Sequence, residues 1–246
     1  MEFTIIQTEA ELLLYSMNQN SCLYPTACCG WDKRILGNSF YWFPQNLYTI
    51  RFYELIMSKI AIDVVLLPPE DIMNKAIEIN KQLSNDPIRL NKGNCLPHVS
   101  LFMGVVEEEN LPKIKEIINK IAAQFSKLSL TISRINYEHC GFDIQKTGDL
   151  QKLHETIMTK LDNYLTNKAT TDMCFSPPPV VEKTLFWINN YREISSFKKF
   201  YPHITLGISK IEGKELNIDF TASKLAICHL GNYCTCRKIL HSANLV

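Results

Sequence analysis

From residue 59 onward the apolar positions fall into clean periods. The run 60–67 is apolar and β-branched, which predicts a strand stopped by Pro68-Pro69. Ile72, Ala76, Ile79 and Leu83 then recur at helical spacing and predict a helix over 70–83. A polar loop, 84–94, leads to a strand over 96–105 and a second helix over 111–125, carried by Ile114, Ile117, Ile118 and Ile121. Two strands that should pair follow at 128–135 and 140–145. The order then partly repeats. A helix is predicted over 149–165, a Pro-rich break at 176–179, a short helix over 181–187 and a strand over 201–208. A hairpin pairing 223–230 with 233–240 across Gly231-Asn232 closes the chain. Strands alternating with helices in two similar halves point to a mixed sheet architecture and against a helical bundle.

Residues 1–56 read differently. Cys22, Cys28, Cys29, Trp31, Phe40, Tyr41, Trp42 and Phe43 gather there, and little periodicity follows a short helical pattern at 9–17. Two readings stay open. The segment is a small extension packed on the main domain, or Met57 is the true start. The division is drawn at 1–56 and 57–246.

Composition narrows the function classes. At 246 residues and 46% hydrophobic content the chain can bury a core, so disorder does not describe the whole. A formal net charge of +1 provides no global field toward duplex DNA or an anionic membrane. The apolar runs are too short to span a bilayer, and the start lacks the basic segment of a secretory signal. A soluble, cytoplasmic, monomeric protein is expected. Nine cysteines, an odd number, do not suggest a disulfide framework. Cys228, Cys234 and Cys236 lack paired zinc-site spacing and are expected to be reduced and structural.

Two segments match each other: Pro97-His98-Val99-Ser100-Leu101 and Pro202-His203-Ile204-Thr205-Leu206. Side chains alternate along a strand, so His98 and Ser100 share one face while Val99, Leu101 and Met103 share the other. His203 and Thr205 repeat this, with Ile204, Leu206 and Ile208 opposite. If the halves face each other, two imidazoles and two hydroxyls line one space. One imidazole can take a proton from an attacking oxygen while the other protonates a leaving oxygen. Ser100 and Thr205 can donate to non-bridging phosphate oxygens. A single His-x-Ser/Thr is a weak signal. Two such matches, each flanked by Pro and Leu on predicted strands in separate halves, are far more specific.

On these residues the chain resembles the 2H phosphoesterase superfamily, which includes 2′-5′ RNA ligase-like proteins and cyclic nucleotide phosphodiesterases. The resemblance covers about 57–240. It implies an α+β, bilobal fold with two pseudo-symmetric sheet-and-helix lobes around a central cleft, one motif from each. It also implies phosphodiester chemistry without metal or other cofactor, on 2′,3′-cyclic phosphates or 2′,5′-linked nucleotides or RNA ends. The alternative is a non-catalytic module that binds RNA ends or nucleotides. Ser100 stands where Thr is commoner in the family, and it keeps the donor.

Around the motifs, Arg192, Lys199 and Tyr201 are candidates for holding a phosphate chain and stacking a base. Ordinary solvated loop residues would look the same. Phe102 falls on the His98 face by alternation and is a candidate base platform, with packing inside its own lobe as the alternative. His139, His154 and His241 receive no role, and His139 and His241 lack a hydroxyl two residues on.

Overall fold

The computed structural model describes residues 31–36, 39–44, 58–166, 168–175 and 179–246. The chain divides into two units, Met1–Ile56 and Met57–Val246. In the first, β1 (Trp31–Leu36) and β2 (Ser39–Pro44) form an antiparallel hairpin, with Trp31 opposite Pro44 and Leu36 opposite Ser39. The helical pattern at 9–17 lies outside the described residues.

The second unit begins with β3 (Lys59–Leu67), α1 (Glu70–Gln82), β4 (Val99–Glu107) and α2 (Leu111–Ala122). It continues with β5 (Leu128–Asn136), β6 (Gly141–Ile144), α3 (Gly148–Leu161) and α4 (Glu182–Ile194). Strands β7 (His203–Thr205), β8 (Lys214–Ala222), β9 (Lys224–Leu230) and β10 (Cys236–Asn244) complete it. Local chemistry sets the helix starts. Glu70 and Asp71 complement the dipole in the first turn of α1. Pro112 occupies the first turn of α2, where its missing N–H costs nothing. Thr147 caps α3 by accepting from Leu150 N at 3.2 Å.

Two four-stranded sheets result, ordered β10-β9-β3-β4 and β8-β5-β6-β7, with every neighbouring pair antiparallel. The expected bilobal α+β architecture is borne out. The motif strands β4 and β7 each end their sheet, and these two edges contact one another. The second strand inward is β3 on one side and β6 on the other.

Helices α3 and α4 pack on β4, and α2 packs on β10. Ile62, Leu101, Phe102, Ile114, Leu153 and Ile204 belong to one continuous buried cluster that runs through both sheets. A smaller cluster of Val65, Leu67, Leu96, Ala226, Cys228 and Cys236 meets Met73 of α1. Among the described residues, no helix is long and apolar enough to cross a membrane.

The structure corrects several expected elements. Helix α4 continues to Ile194, well past 187. Strand β8 lies where no element was expected, although Leu216, Ile218, Phe220 and Ala222 alternate through it. Polar partners between them weaken the pattern, because one face of this edge strand meets water. The last hairpin turns through five residues, Gly231 to Thr235, instead of two. That longer turn starts β10 at Cys236 and brings it within disulfide reach of Cys228, at a Cα separation of 5.5 Å. The expectation that both are reduced is therefore overturned. Cys234 remains free.

Polar side chains tie the segment after β7 to the first sheet's surroundings. Asn80 of α1 donates from Nδ2 to Leu206 O at 2.7 Å and to Ile88 O at 3.0 Å, and accepts from Leu90 N at 2.8 Å. Asp86 accepts from Ile88 N, Ile208 N and Ser209 N at 2.8, 2.7 and 2.6 Å. A Cβ on Gly207 would stand 2.5 Å from Asp86 Oδ2, so glycine permits this approach. Burial alone would raise the Asp86 pKa, but hydrogen bonds from Ile88, Ser209 and Ile208 outweigh it and hold the carboxyl below its usual value.

Replacing Asp86 by Ala strands three N–H groups, that of buried Ile88 among them, and is expected to cost about 2–4 kcal/mol in urea unfolding. A carboxyl lowered in the folded state contributes stability above its unfolded pKa and loses it as pH falls through the folded value. The gap between wild type and Asp86→Asn should therefore narrow in acid. A gap independent of pH would show that the charge of Asp86 contributes nothing.

Candidate active site

His98 immediately precedes β4, and His203 is the first residue of β7. Both rings are held in the same way. His98 Nδ1 lies 2.7 Å from Leu96 O, and His203 Nδ1 lies 3.0 Å from Tyr201 O. In each case the partner is the carbonyl two residues back. Such a bond assigns the proton of the neutral ring to Nδ1 and leaves Nε2 as the basic atom. His98 retains 11% of its side-chain surface, and His203 is also partly exposed. Burial lowers the His98 pKa to about 4, opposed by the bond to Leu96 and assisted by the charge of His203. Burial also lowers His203, with the Tyr201 bond raising it, His139 lowering it and Asp143 raising it.

The hydroxyls are held less symmetrically. Ser100 Oγ meets Asp63 Oδ2 at 2.6 Å, and His98 Nε2 is 3.7 Å from the same oxygen. Asp63 lies on β3 with no exposed surface, and burial raises its pKa well above the usual carboxyl value, with Ser100 opposing. A carboxyl this buried, beside an imidazole that is itself pushed toward neutrality, is driven toward its neutral form. In that form it carries an O–H of its own, so the 2.6 Å contact can run in either direction. Thr205 lies partly exposed at the end of β7, two residues beyond His203.

Other expected site residues divide. Tyr201 is 49% exposed, and its ring centroid is 6.1 Å from that of His203. Phe102 does not line the site, because it is wholly buried in the core. The reason is a bulge in β4. Val64 opposes Phe102 and Val65 opposes Ser100, so Leu101 is the extra residue and alternation breaks there. Arg192 pairs with Asp162, and its guanidinium lies 5.6 Å from the Phe197 ring centroid. Lys199 donates to Glu193 O at 2.8 Å. These contacts hold both cations at the ends of α3 and α4 and tie neither to an imidazole. Ile208, expected in the core, is exposed because β7 ends at Thr205.

Several site residues were missed. His154 is fully buried, with Nδ1 2.8 Å from Leu101 O and Nε2 accepting from Phe197 N at 2.8 Å. Its ring stacks on Phe200 at 3.9 Å. It therefore joins the bulge after the first motif to the approach to the second. Burial brings its pKa to about 4, against the bond to Leu101, so it is neutral and structural. Tyr191 reaches Ser100 O from α4 at 3.4 Å. Beside the second motif, Asp143 pairs with His203 across β6 and β7. Asp143 and Asp63 had one visible signal each, a lone carboxylate inside an apolar strand. Among the described residues, no group of three or more His, Cys, Asp or Glu side chains is placed to hold a metal ion.

A buried acid whose folded pKa is raised loses stability as pH climbs from its unfolded pKa toward the folded one. Asp63→Asn removes that loss. The difference in Tm, mutant minus wild type, should rise between pH 4 and pH 8. A difference that is flat or falls over this range would show that Asp63 is ionised in the folded protein.

No family model and no curated protein matches the sequence. Solved structures do match. The structure of TT0787 from Thermus thermophilus has a TM-score of 0.50 and 13% identity, over 76% of this chain and 98% of that one. A structure of E. coli LigT complexed with NADP+ has a TM-score of 0.47 and 14% identity, over 76% of this chain and 99% of that one. Another, described as a phosphoesterase, has a TM-score of 0.45 and 15% identity, over 77% and 99%. The likeness to TT0787 is one of fold, and the two motif histidines sit on the facing edges of that fold's two sheets.

Proposed function

We propose that this protein is a metal-independent phosphodiesterase acting on 2′,3′-cyclic phosphates or on 2′,5′-linked nucleotide or RNA phosphodiesters. The observation that carries the reading is the matched pair of imidazoles. Each is tethered through Nδ1 to the carbonyl two residues back, which leaves Nε2 as the basic atom of each, and His203 acts electrostatically on His98.

Hydrolysis of a phosphodiester needs a proton removed from the attacking oxygen and another delivered to the leaving oxygen. Two imidazoles near each other can do both if one is neutral and one protonated. Mutual repulsion makes the singly protonated pair the favoured state over a range of pH. As the oxygen–phosphorus bond forms and the ester bond breaks, charge grows on the non-bridging oxygens. The Thr205 hydroxyl can donate there. So can Ser100, because protonated Asp63 can supply the hydrogen bond between them and free the serine proton for substrate. Tyr201 offers an exposed aromatic face beside His203 on which a base can stack.

Purified protein is expected to turn over 2′,3′-cyclic nucleotides or 2′,5′-linked oligoadenylate in the presence of EDTA. His98→Ala and His203→Ala should each lower kcat by about 10²–10⁴ while leaving the fold intact by circular dichroism. Activity abolished by EDTA, or indifferent to both substitutions, overturns the reading. Tight nucleotide binding by wild type with no product would make the cleft a binding module instead.

A further inference from the structure

The two motifs match in sequence, but their surroundings do not. Each motif strand lies beside a strand bearing a buried carboxyl, Asp63 on β3 and Asp143 on β6. Asp63 has Ser100 as its hydrogen-bonded partner, and no cation other than the His98 ring, if protonated, lies within ion-pair distance of it among the described residues. Asp143 is held by Arg134 Nε at 2.6 Å and Asn136 Nδ2 at 3.0 Å, both on Oδ2. Its other oxygen, Oδ1, lies 3.1 Å from His139 Nε2, although the two atoms are out of line for a hydrogen bond. A carboxyl faced by a guanidinium, an amide and an imidazole is a carboxylate. Burial would raise its pKa, but the Tyr201, Arg134 and Asn136 hydrogen bonds and the charge of His139 outweigh that and lower it.

His139 is brought to this place by local backbone geometry. The turn between β5 and β6 begins with Asn136 Oδ1 accepting from Glu138 N at 2.9 Å. Cys140 then adopts a φ of 50°, a left-handed conformation that is strained for a non-glycine residue. At Gly141 a Cβ would stand 2.9 Å from His139 Cδ2 and 3.0 Å from Ile204 O. Glycine thus lets the His139 ring close down on the second motif. The ring meets His203 edge-on, with centroids 5.0 Å apart and planes at 68°, and meets Tyr201 edge-on at 5.6 Å. It keeps 30% of its side-chain surface exposed. Among the described residues, no equivalent third histidine attends His98.

We propose that His139 and Asp143 are positioning residues for His203, His139 by packing against its ring, and that the Asp143 carboxylate, held by Arg134 on one side only, makes His203 the proton donor and His98 the proton acceptor. The assignment rests on reading the cleft as a phosphodiesterase site. In the reaction, His98 Nε2 takes a proton from the attacking water as its oxygen bonds to phosphorus. His203 Nε2 gives its proton to the oxygen leaving phosphorus. The products are a phosphomonoester and a free hydroxyl. Each ring then returns to its starting state by exchange with solvent. The titratable groups around His203 are His139 from the preceding turn, Asp143 of β6, Arg134 of β5 behind it, Tyr201 of its own approach, and His98 opposite. Of these, only Asp143 and, at high pH, Tyr201 bring negative charge. Ionised Asp143 therefore stabilises the His203 imidazolium, whereas Asp63, which burial drives toward its neutral form and which no Arg or Lys pairs among the described residues, gives His98 no such support.

Two measurements test the assignment, one without turnover. In a proton NMR titration of the folded protein, Asp143→Asn should lower the His203 midpoint and leave that of His98 in place. His139→Gln, which removes a like charge, should raise the His203 midpoint. In pH–rate profiles the same variants should move the basic limb in those directions, leave the acidic limb in place, and lower kcat by about tenfold or more. A p-nitrophenyl nucleotide diester, whose phenolate leaves without a proton, should restore His203→Ala to within about tenfold of wild type but not rescue His98→Ala. An unmoved His203 midpoint in both variants, or rescue of His98→Ala instead, overturns the proposal. Failure of the wild type on every phosphodiester overturns the phosphodiesterase reading instead, and the titration still reports on the His139–Asp143 arrangement.

Discussion

The site depends on two edge strands from different sheets being held together at their motif ends. Edge strands carry unpaired backbone groups on their outer side, and nothing in a sheet's own hydrogen bonding aligns one sheet with another. Here the alignment comes from buried polar side chains. Asn80 and Asp86 fasten the backbone just after His203 to segments beside the first sheet. His154 joins Leu101, the last residue of the first motif, to Phe197, on the approach to the second. Each bond is worth little in net terms, but leaving any of these buried groups unpaired is costly, so the arrangement is strongly specified. The apolar core running through both sheets supplies bulk stability, and the polar ties supply position.

Within that frame, burial sets the chemistry. Desolvation opposes charge on both imidazoles, which favours neutral rings. A productive pair needs one protonated ring, so some local group must favour the cation on one side. The two buried carboxyls are the candidates, and their partners decide their states. Asp143 lies against Arg134, which favours its charge, while Asp63 faces a serine hydroxyl and burial disfavours its charge. Two motifs that look alike are thus given different electrostatic backgrounds by the strand next to each, which is what the proposed division of tasks requires.

Much of the fold was legible in the chain. The strand at 60–67, the helices carried by Ile72–Leu83 and Ile114–Ile121 spacing, and the two histidine motifs all follow from periodicity and local signals. Strand β8 was hidden because its outward positions are polar, and the final turn was misjudged because Gly231-Asn232 resembles a tight hairpin while Thr235 closes a longer one through its bond to Asn232 O. Phe102 shows the limit of alternation. A single extra residue, Leu101, reverses the face of everything after it, and a bulge leaves no dependable mark in sequence.

By itself the sequence determined the class of elements, the pairing of the two Pro-His motifs, and which residue of each motif could carry protons. These depend on side-chain identity and on the two-residue period of a strand, both of which are local. Only the tertiary structure decided that His139 stands beside His203, that Asp63 and Asp143 occupy equivalent strands with opposite partners, and that Phe102 is core. Those outcomes depend on burial and on partners distant along the chain, and the free energy of a charge is set by what surrounds it in space.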